Sequence, residues 1–225
     1  GLTLLSSGLL LERHAAAIAA TFDDVVVSLD GPAEVHDAIR GVPGAFERLR
    51  RGVQALRGCA PVPALSGRCT VQRENLAHLR ATVAAARDLG LDRISFLAAD
   101  TTSPAFGRAA GWEEASRLRV APDAADLGLL EAELDRLEVE NAGDLASGFV
   151  SESAPKLRAR LLALFRAVGG EGSFPSSSCN APWVSAVVET DLSVRPCFFH
   201  PALGRLGDGG LAAVVNGEEA LRFRR

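Results

Sequence analysis

The side chains of this 225-residue sequence that bear on chemistry are four cysteines, a few polar residues at predicted strand ends, and one lysine. Cys179 and Cys197 are separated by 17 residues that turn around Thr190-Asp191, a spacing that brings both sulfurs to one metal across a hairpin. The same spacing also fits two buried hairpin cysteines or a disulfide. Cys59 and Cys69 flank a loop with two prolines and are expected to be incidental, buried thiols. Ser28 and Asp30 end a β-branched run and supply a hydroxyl and a carboxylate, groups that pair with ligand hydroxyls. Arg73 offers a planar fork for a carboxylate, and Asn75 is read as a cap of the helix that follows it. Each of these is equally at home in an ordinary strand-end turn or on the surface. Asp100, at a further strand end, is placed to face a substrate. His36 is read as a structural donor, and Trp183 as packing a hairpin. Arg40 with Asp37 is read as a local ion pair holding the Gly41 turn.

These residues need elements to hold them. Leu2 to Leu5 reads as a strand and Leu9 to Ala20 as an alanine- and leucine-rich helix. Val25 to Leu29 is a continuous apolar run that suits a parallel strand buried on both faces, stopped by Gly31-Pro32. Two helices are predicted, over Ala33–Ile39 and Ala45–Leu56, the second with Phe46, Leu49, Val53 and Leu56 on one stripe. Gly58 to Gly67 reads as a loop and Arg68 to Arg73 as a strand. Leu76 to Leu89 reads as a helix closed by Gly90, and Arg93 to Ala98 as a strand. The alternation implies parallel pairing through right-handed crossovers, an open sheet or part of a barrel whose carboxyl ends carry the site. Thr101 to Pro122 is expected to be irregular. Helices follow over Asp123–Glu140 and Ala154–Val168. A Gly/Ser-rich linker over 169–178 separates an α/β region, 1–168, from a small hairpin module, 179–225, with strands over Trp183–Glu189 and Val194–Phe198.

Composition narrows the class. A formal net charge of -4 gives no reason to expect a nucleic-acid partner. No apolar run reaches transmembrane length, so no membrane partner is expected. The sparse cysteines suit a reduced, cytoplasmic setting. The only lysine, Lys156, lies off every predicted strand, which argues against an aldolase-like Schiff-base enzyme.

The ordered motifs resemble the radical S-adenosylmethionine (radical SAM, AdoMet) enzymes. Phe22 to Phe46 resembles that family's middle strand and following helix, with Ser28-Leu29-Asp30-Gly31 and then His36-Asp37, Arg40 and Gly41. Leu4 to Gly8 is similar to the preceding strand end, with Ser6-Ser7-Gly8 where the family often has Thr-Asn-Gly. Thr70 to Asn75 and Leu89 to Phe96 resemble the next two strand regions. Cys179-Asn180-Ala181-Pro182-Trp183, then Pro196-Cys197-Phe198-Phe199, resembles the start of a SPASM or twitch auxiliary iron–sulfur domain. Leu192 stands where that pattern has glycine, a departure expected to alter the hairpin turn, because leucine tolerates positive φ poorly.

The resemblance implies an α/β fold: a partial (βα)6-type barrel with a small C-terminal SPASM/twitch-like module. It implies reductive cleavage of AdoMet at a [4Fe–4S] cluster to a 5'-deoxyadenosyl radical, which abstracts hydrogen from a peptide or small-molecule substrate. An electron donor such as ferredoxin or flavodoxin is implied as a partner. Ser28, Asp30 and Arg73 are implied as cofactor-binding residues, the first two at the AdoMet ribose and Arg73 at its methionyl carboxylate. Cys179 and Cys197 are implied as ligands of a possible auxiliary cluster. The family's Cys-x3-Cys-x2-Cys triplet and its Gly-Gly-Glu segment do not occur in these residues. The chain is therefore expected to be an internal piece of a longer enzyme, its first strand an open sheet edge. The other reading is a catalytically inactive peptide-binding or maturation scaffold derived from the same fold.

Overall fold

A computed structural model describes residues 1–103, 105, 112–174, 179–207 and 209–225. Two compact units are present, Gly1–Ala99 with Ala115–Pro175, and Asp100–Glu114 with Ser176–Arg225.

The larger unit is built on a parallel sheet whose strands lie in chain order, β1 (Thr3–Ser6), β2 (Asp24–Ser28), β3 (Ala64–Val71) and β4 (Arg93–Ala98). Between them run α1 (Leu11–Thr21), α2 (Ala33–Arg40), α3 (Ala45–Arg57) and α4 (Leu79–Asp88). Val25, Val27, Leu65, Cys69, Val71, Ile94 and Phe96 project from one sheet face into the core and are fully buried. They meet Leu11 of α1, Leu49, Val53 and Leu56 of α3, and Leu79 and Val83 of α4. Burying a set of aliphatic side chains of this kind, at roughly 1.5–3 kcal/mol each, is what holds the sheet to its helices.

Two sequence expectations change here. First, β2 is not buried on both faces. Val25 and Val27 are fully buried, whereas Asp24, Val26 and Ser28 are only half-buried. The β-branched run reports strand propensity, and a strand's period of two still gives it one inner and one outer face. Second, β3 starts at Ala64, inside the segment read as a loop. Pro63 stands just before the strand, where proline costs no ladder bond. Gly67 is not a loop residue but a packing device: a Cβ there would sit 2.6 Å from Cδ1 of Ile94.

The helix over Ala154–Val168 (α8) has the expected limits, and α6 (Ala124–Glu140) starts one residue after its cap Asp123. The irregular stretch contains one helix, α5 (Glu114–Val120), and Pro104, Gly107 and Gly111 lie outside the described residues. A short helix, α7 (Ala142–Ala146), then leads to a strand-like segment absent from the sequence reading. Val150 bridges Ile94 in parallel, and Ile94 N–H donates to the Phe149 carbonyl at 2.7 Å. One step further along, the carboxylate of the buried Glu152 accepts from Phe96 N–H at 3.1 Å, in the place of a strand carbonyl. At the opposite edge β1 pairs, among the described residues, with β2 alone, and Leu2 and Leu5 are exposed, as the sequence implied for an edge strand.

In the smaller unit a short helix, α9 (Ala181–Val184), precedes an antiparallel sheet of β5 (Val187–Val188), β6 (Ser193–Arg195) and β7 (Gly204–Arg205). The two predicted strands are thus shortened, a third is added, and α10 (Gly210–Val215) and α11 (Glu218–Phe223) follow. Trp183 sits on the α9 turn with 61% of its surface exposed, so it does not pack the hairpin. Of the predicted linker, 175–178 lie outside the described residues. Among the described residues no helix is long and apolar enough to cross a membrane.

Candidate active site at the carboxyl end of the sheet

The last residues of β2 and β3 are joined by polar groups drawn inside the protein. Asp30 follows β2 and is 1% exposed. One oxygen of its carboxylate accepts from Thr70 N–H at 3.2 Å, and the other lies 2.5 Å from Nη2 of Arg40. Its own N–H donates to Nδ1 of His36 at 3.2 Å. Asn75, fully buried, donates from its carboxamide to the Asp30 carbonyl at 2.9 Å and the Thr70 carbonyl at 3.1 Å, and accepts from Gln72 N–H at 2.7 Å. Asn75 is therefore no helix cap. It is a bracket between two strand ends, and α4 begins only at Leu79. Gly31 allows the chain to turn tightly over this cluster, because a Cβ there would lie 2.7 Å from Cγ1 of Val35.

Arg40 pairs with Asp30, not with Asp37 as the sequence suggested. Asp37 instead accepts from Gly44 N–H at 2.6 Å and Phe46 N–H at 2.8 Å, fastening the start of α3. Desolvation holds the His36 imidazole below the ordinary histidine range, reinforced by the Arg40 charge and opposed by Asp30 and Asp37. With Nδ1 accepting, the ring is neutral with its proton on Nε2, a nitrogen that is buried without a hydrogen-bond partner. Burial likewise pushes the Cys69 thiol well up, with Asp30 adding to the effect, so Cys69 is a core thiol and not a nucleophile.

The residues chosen from sequence part company here. The Ser28 hydroxyl has no hydrogen-bond partner among the described residues and remains open to a ligand. The Asp30 carboxylate is spent inside the fold, on Thr70 and Arg40. Arg73 has no fork left to offer: Nε donates to Asp126 at 2.8 Å, Nη1 to the Leu118 carbonyl at 2.8 Å, and Nη2 to Asp123 at 2.9 Å. It clamps the turn into α6, whose start is also fixed by the reciprocal Asp123 and Asp126 capping box. Sequence reasoning paired Arg40 with Asp37 and did not weigh its partly open guanidinium. It is 28% exposed, its Nε is buried without a partner, and Nη1 is neither bonded nor buried. The signal was its place four residues after His36, one turn along α2, on the side that meets Asp30. Asp100, the remaining strand-end acid, turns back on its own loop, accepting from Thr102 and Ser103.

Cys179 is exposed and Cys197 half-buried, both as free thiols. No group of three His, Cys, Asp or Glu side chains able to hold a metal exists among the described residues. The donors present therefore do not fit a [4Fe–4S] cluster. The Ser28 hydroxyl and the Nη1 edge of Arg40, which the Asp30 pair leaves open, are groups that can bond a ligand hydroxyl and a carboxylate.

No protein-family model matches the chain. The AdoMet-dependent heme synthase of Methanosarcina barkeri is 38% identical over 89 residues, 39% of this chain and 24% of that protein. The enzyme of the same name from Oleidesulfovibrio alaskensis is 40% identical over 65 residues, 28% of this chain and 16% of that protein. Among solved structures, native anSMEcpe with bound AdoMet and Kp18Cys peptide superposes with a TM-score of 0.62 at 20% identity, over 98% of this chain and 58% of that one. Native anSMEcpe with bound AdoMet gives 0.62 at 19% identity, covering 98% and 57%. The fold is the mixed α/β fold of these solved structures. The chain spans little more than half the length of the solved structures, and its sequence matches cover at most a quarter of the two heme synthases.

Proposed function

We propose that this chain builds the AdoMet-binding side of a radical SAM enzyme. The single observation behind this reading is that two groups are left open, the Ser28 hydroxyl at the end of β2 and the outer edge of Arg40 at the end of α2. Arg40 would take the methionyl carboxylate through its fork. Ser28 would bond a ligand hydroxyl or the same carboxylate. Asp30 and Asn75 hold those two groups in place without touching the ligand, and Arg73 fixes the turn into α6. The arrangement is supported by the Asn75 bracket between the Asp30 and Thr70 carbonyls and by the Asp30 ion pair to Arg40.

Radical chemistry in this reading is an activity of the whole enzyme: AdoMet cleavage, with hydrogen abstraction from a peptide or small molecule. Among the described residues no three metal-binding side chains stand together, so the donors present do not make up a catalytic cluster. Cys179 and Cys197 are proposed as two ligands of an auxiliary cluster that requires others. The two relatives carry a heme-synthase name and the solved structures hold AdoMet and peptide, so AdoMet is the point on which these comparisons converge.

The test is anaerobic reconstitution of the full-length protein with iron and sulfide, followed by reduction and measurement of 5'-deoxyadenosine. Formation of 5'-deoxyadenosine, lowered about tenfold or more by Arg40→Gln, is expected for loss of a charged fork. Saturable peptide binding with no bound AdoMet and no 5'-deoxyadenosine would establish the scaffold reading instead.

A further inference from the structure

The sheet of the larger unit has helices over only one face, and the other face carries an unexplained charge. Register sets Ser28 of β2 against Arg68 of β3, and Arg68 against Ser95 of β4. The three form a row straight across the open face, spanning roughly 10 Å from Ser28 to Ser95 at ~4.8 Å per strand. Arg68 is the only charged residue within a strand of this sheet, since Asp24 and Arg93 stand at strand starts. It is exposed and has no ion pair or side-chain hydrogen bond among the described residues. Its immediate neighbours in the row are small hydroxyl residues, and the Ser95 hydroxyl reaches back to the Gly67 carbonyl at 3.4 Å. The partners of the other arginines at this end show the contrast: Arg40 has Asp30, and Arg73 has Asp123 and Asp126.

A parallel sheet normally has both faces covered. A lone guanidinium in mid-strand on the uncovered face, beside the serine assigned above to AdoMet, is placed to meet something brought in. We infer that Arg68, with Ser28 and Ser95 on either side, is the seat for a carboxylate on the substrate, so that the second ligand of this site is an anionic molecule. The inference rests on the AdoMet reading of the same site and adds the chemical class of the co-substrate. Arg68 is a specificity residue in this assignment. It bonds the substrate away from the reacting atom, and neutral analogues of that substrate are rejected because the guanidinium would be left covered and unpaired.

The chain labelled with 15N-arginine tests this, with succinate as probe at constant ionic strength and the Arg68 signal assigned by its loss in Arg68→Gln. Succinate is expected to move the Arg68 Nε–H signal saturably, with and without AdoMet, while the exposed helical Arg13 and Arg48 drift linearly. Arg68→Lys is expected to weaken the succinate effect about tenfold, because a point charge lacks the fork. A linear response at Arg68 equal to that of Arg13 makes it a solvated surface charge and overturns the inference. So does full movement of the signal by AdoMet alone with no further response to succinate, which would assign the carboxylate to AdoMet. Failure of AdoMet to perturb Arg40, with succinate still saturating at Arg68, would instead count against the AdoMet reading and leave an anion seat.

Discussion

The strand-end cluster of the larger unit and the cysteine hairpin of the smaller one are both polar and loop-built, yet they are finished to different degrees. Around Asp30 and Asn75 the strand ends are tied by buried hydrogen bonds, and the unmatched buried atoms are Nε2 of His36, Nε of Arg40 and the Asp30 oxygen that faces Arg40. In the smaller unit the described residues bury Ala105, Val194, Pro196 and Ala220 among apolar side chains, while Trp183, Val184 and Phe199 are largely exposed. The first site is held by buried hydrogen bonds between strand ends. The second is short of both core and metal ligands. Site geometry in this chain thus follows from buried hydrogen bonds over a packed sheet, and the smaller unit carries little of its own.

Optical probes can separate the two regions, because both tryptophans, Trp112 and Trp183, belong to the smaller unit, whereas most helix lies in the larger. The largest effect is expected for Asn75→Ala. It leaves the Asp30 and Thr70 carbonyls and Gln72 N–H without their side-chain partner, at ~1–3 kcal/mol for each buried group. Urea unfolding followed by far-UV circular dichroism should show a loss of about 3 kcal/mol or more. A loss below about 1 kcal/mol would mean that the strand ends do not depend on this bracket.

His36 sharpens the same contrast through pH. Its folded pKa lies below that of an unfolded histidine, about 6.5, so the unfolded chain binds the proton first. Stability from this group is complete above that value and declines as the pH falls below it, by up to ~1.4 kcal/mol per unit. His36→Asn keeps an acceptor for Asp30 N–H but cannot titrate. It should flatten the decline between about pH 6.5 and 5 in the dichroism transition. An unchanged slope would assign the acid sensitivity to other groups.

The smallest effect concerns the hairpin. Leu192 is the only described non-glycine residue with positive φ, at 68°, so the turn expected to change has kept the shape that glycine would give it. Its neighbours over-determine the turn: Glu189 N–H donates to the Ser193 carbonyl at 2.9 Å, and Leu206 N–H to that of Leu192 at 2.8 Å. A left-handed non-glycine residue costs roughly 1–2 kcal/mol, partly offset by the unfolded-state entropy of glycine. Leu192→Gly should therefore stabilise the transition seen by tryptophan fluorescence by up to ~1 kcal/mol and leave the dichroism transition in place. Movement of both together would show that the units unfold as one.

Much of the fold was legible in the chain. The β-branched run before Gly31, the helical stripes of α3 and α8, and the span of β4 each depend on local periodicity, which residue order encodes directly. The start of β3 was not legible, because Gly67 looks like a turn residue until Ile94 is seen against it. Nor was the strand-like segment at Val150, whose pairing is with residues far back in the chain. Among the residues chosen from sequence, Ser28 keeps a hydroxyl without a hydrogen-bond partner among the described residues. Asp30 and Arg73 have the right chemistry, but nearby partners take it up.

By itself, the sequence determined residue types, strand and helix periods, and the order of motifs that resemble those of radical SAM enzymes. Tertiary structure alone decided which polar groups were spent and which were free. Arg40 and Arg68 have the same side chain, and so does Arg73; one is half engaged by a buried carboxylate, one is open, and one is fully bonded. That difference lies in the partners folding supplies across strands and helices, and spacing along the chain cannot encode it.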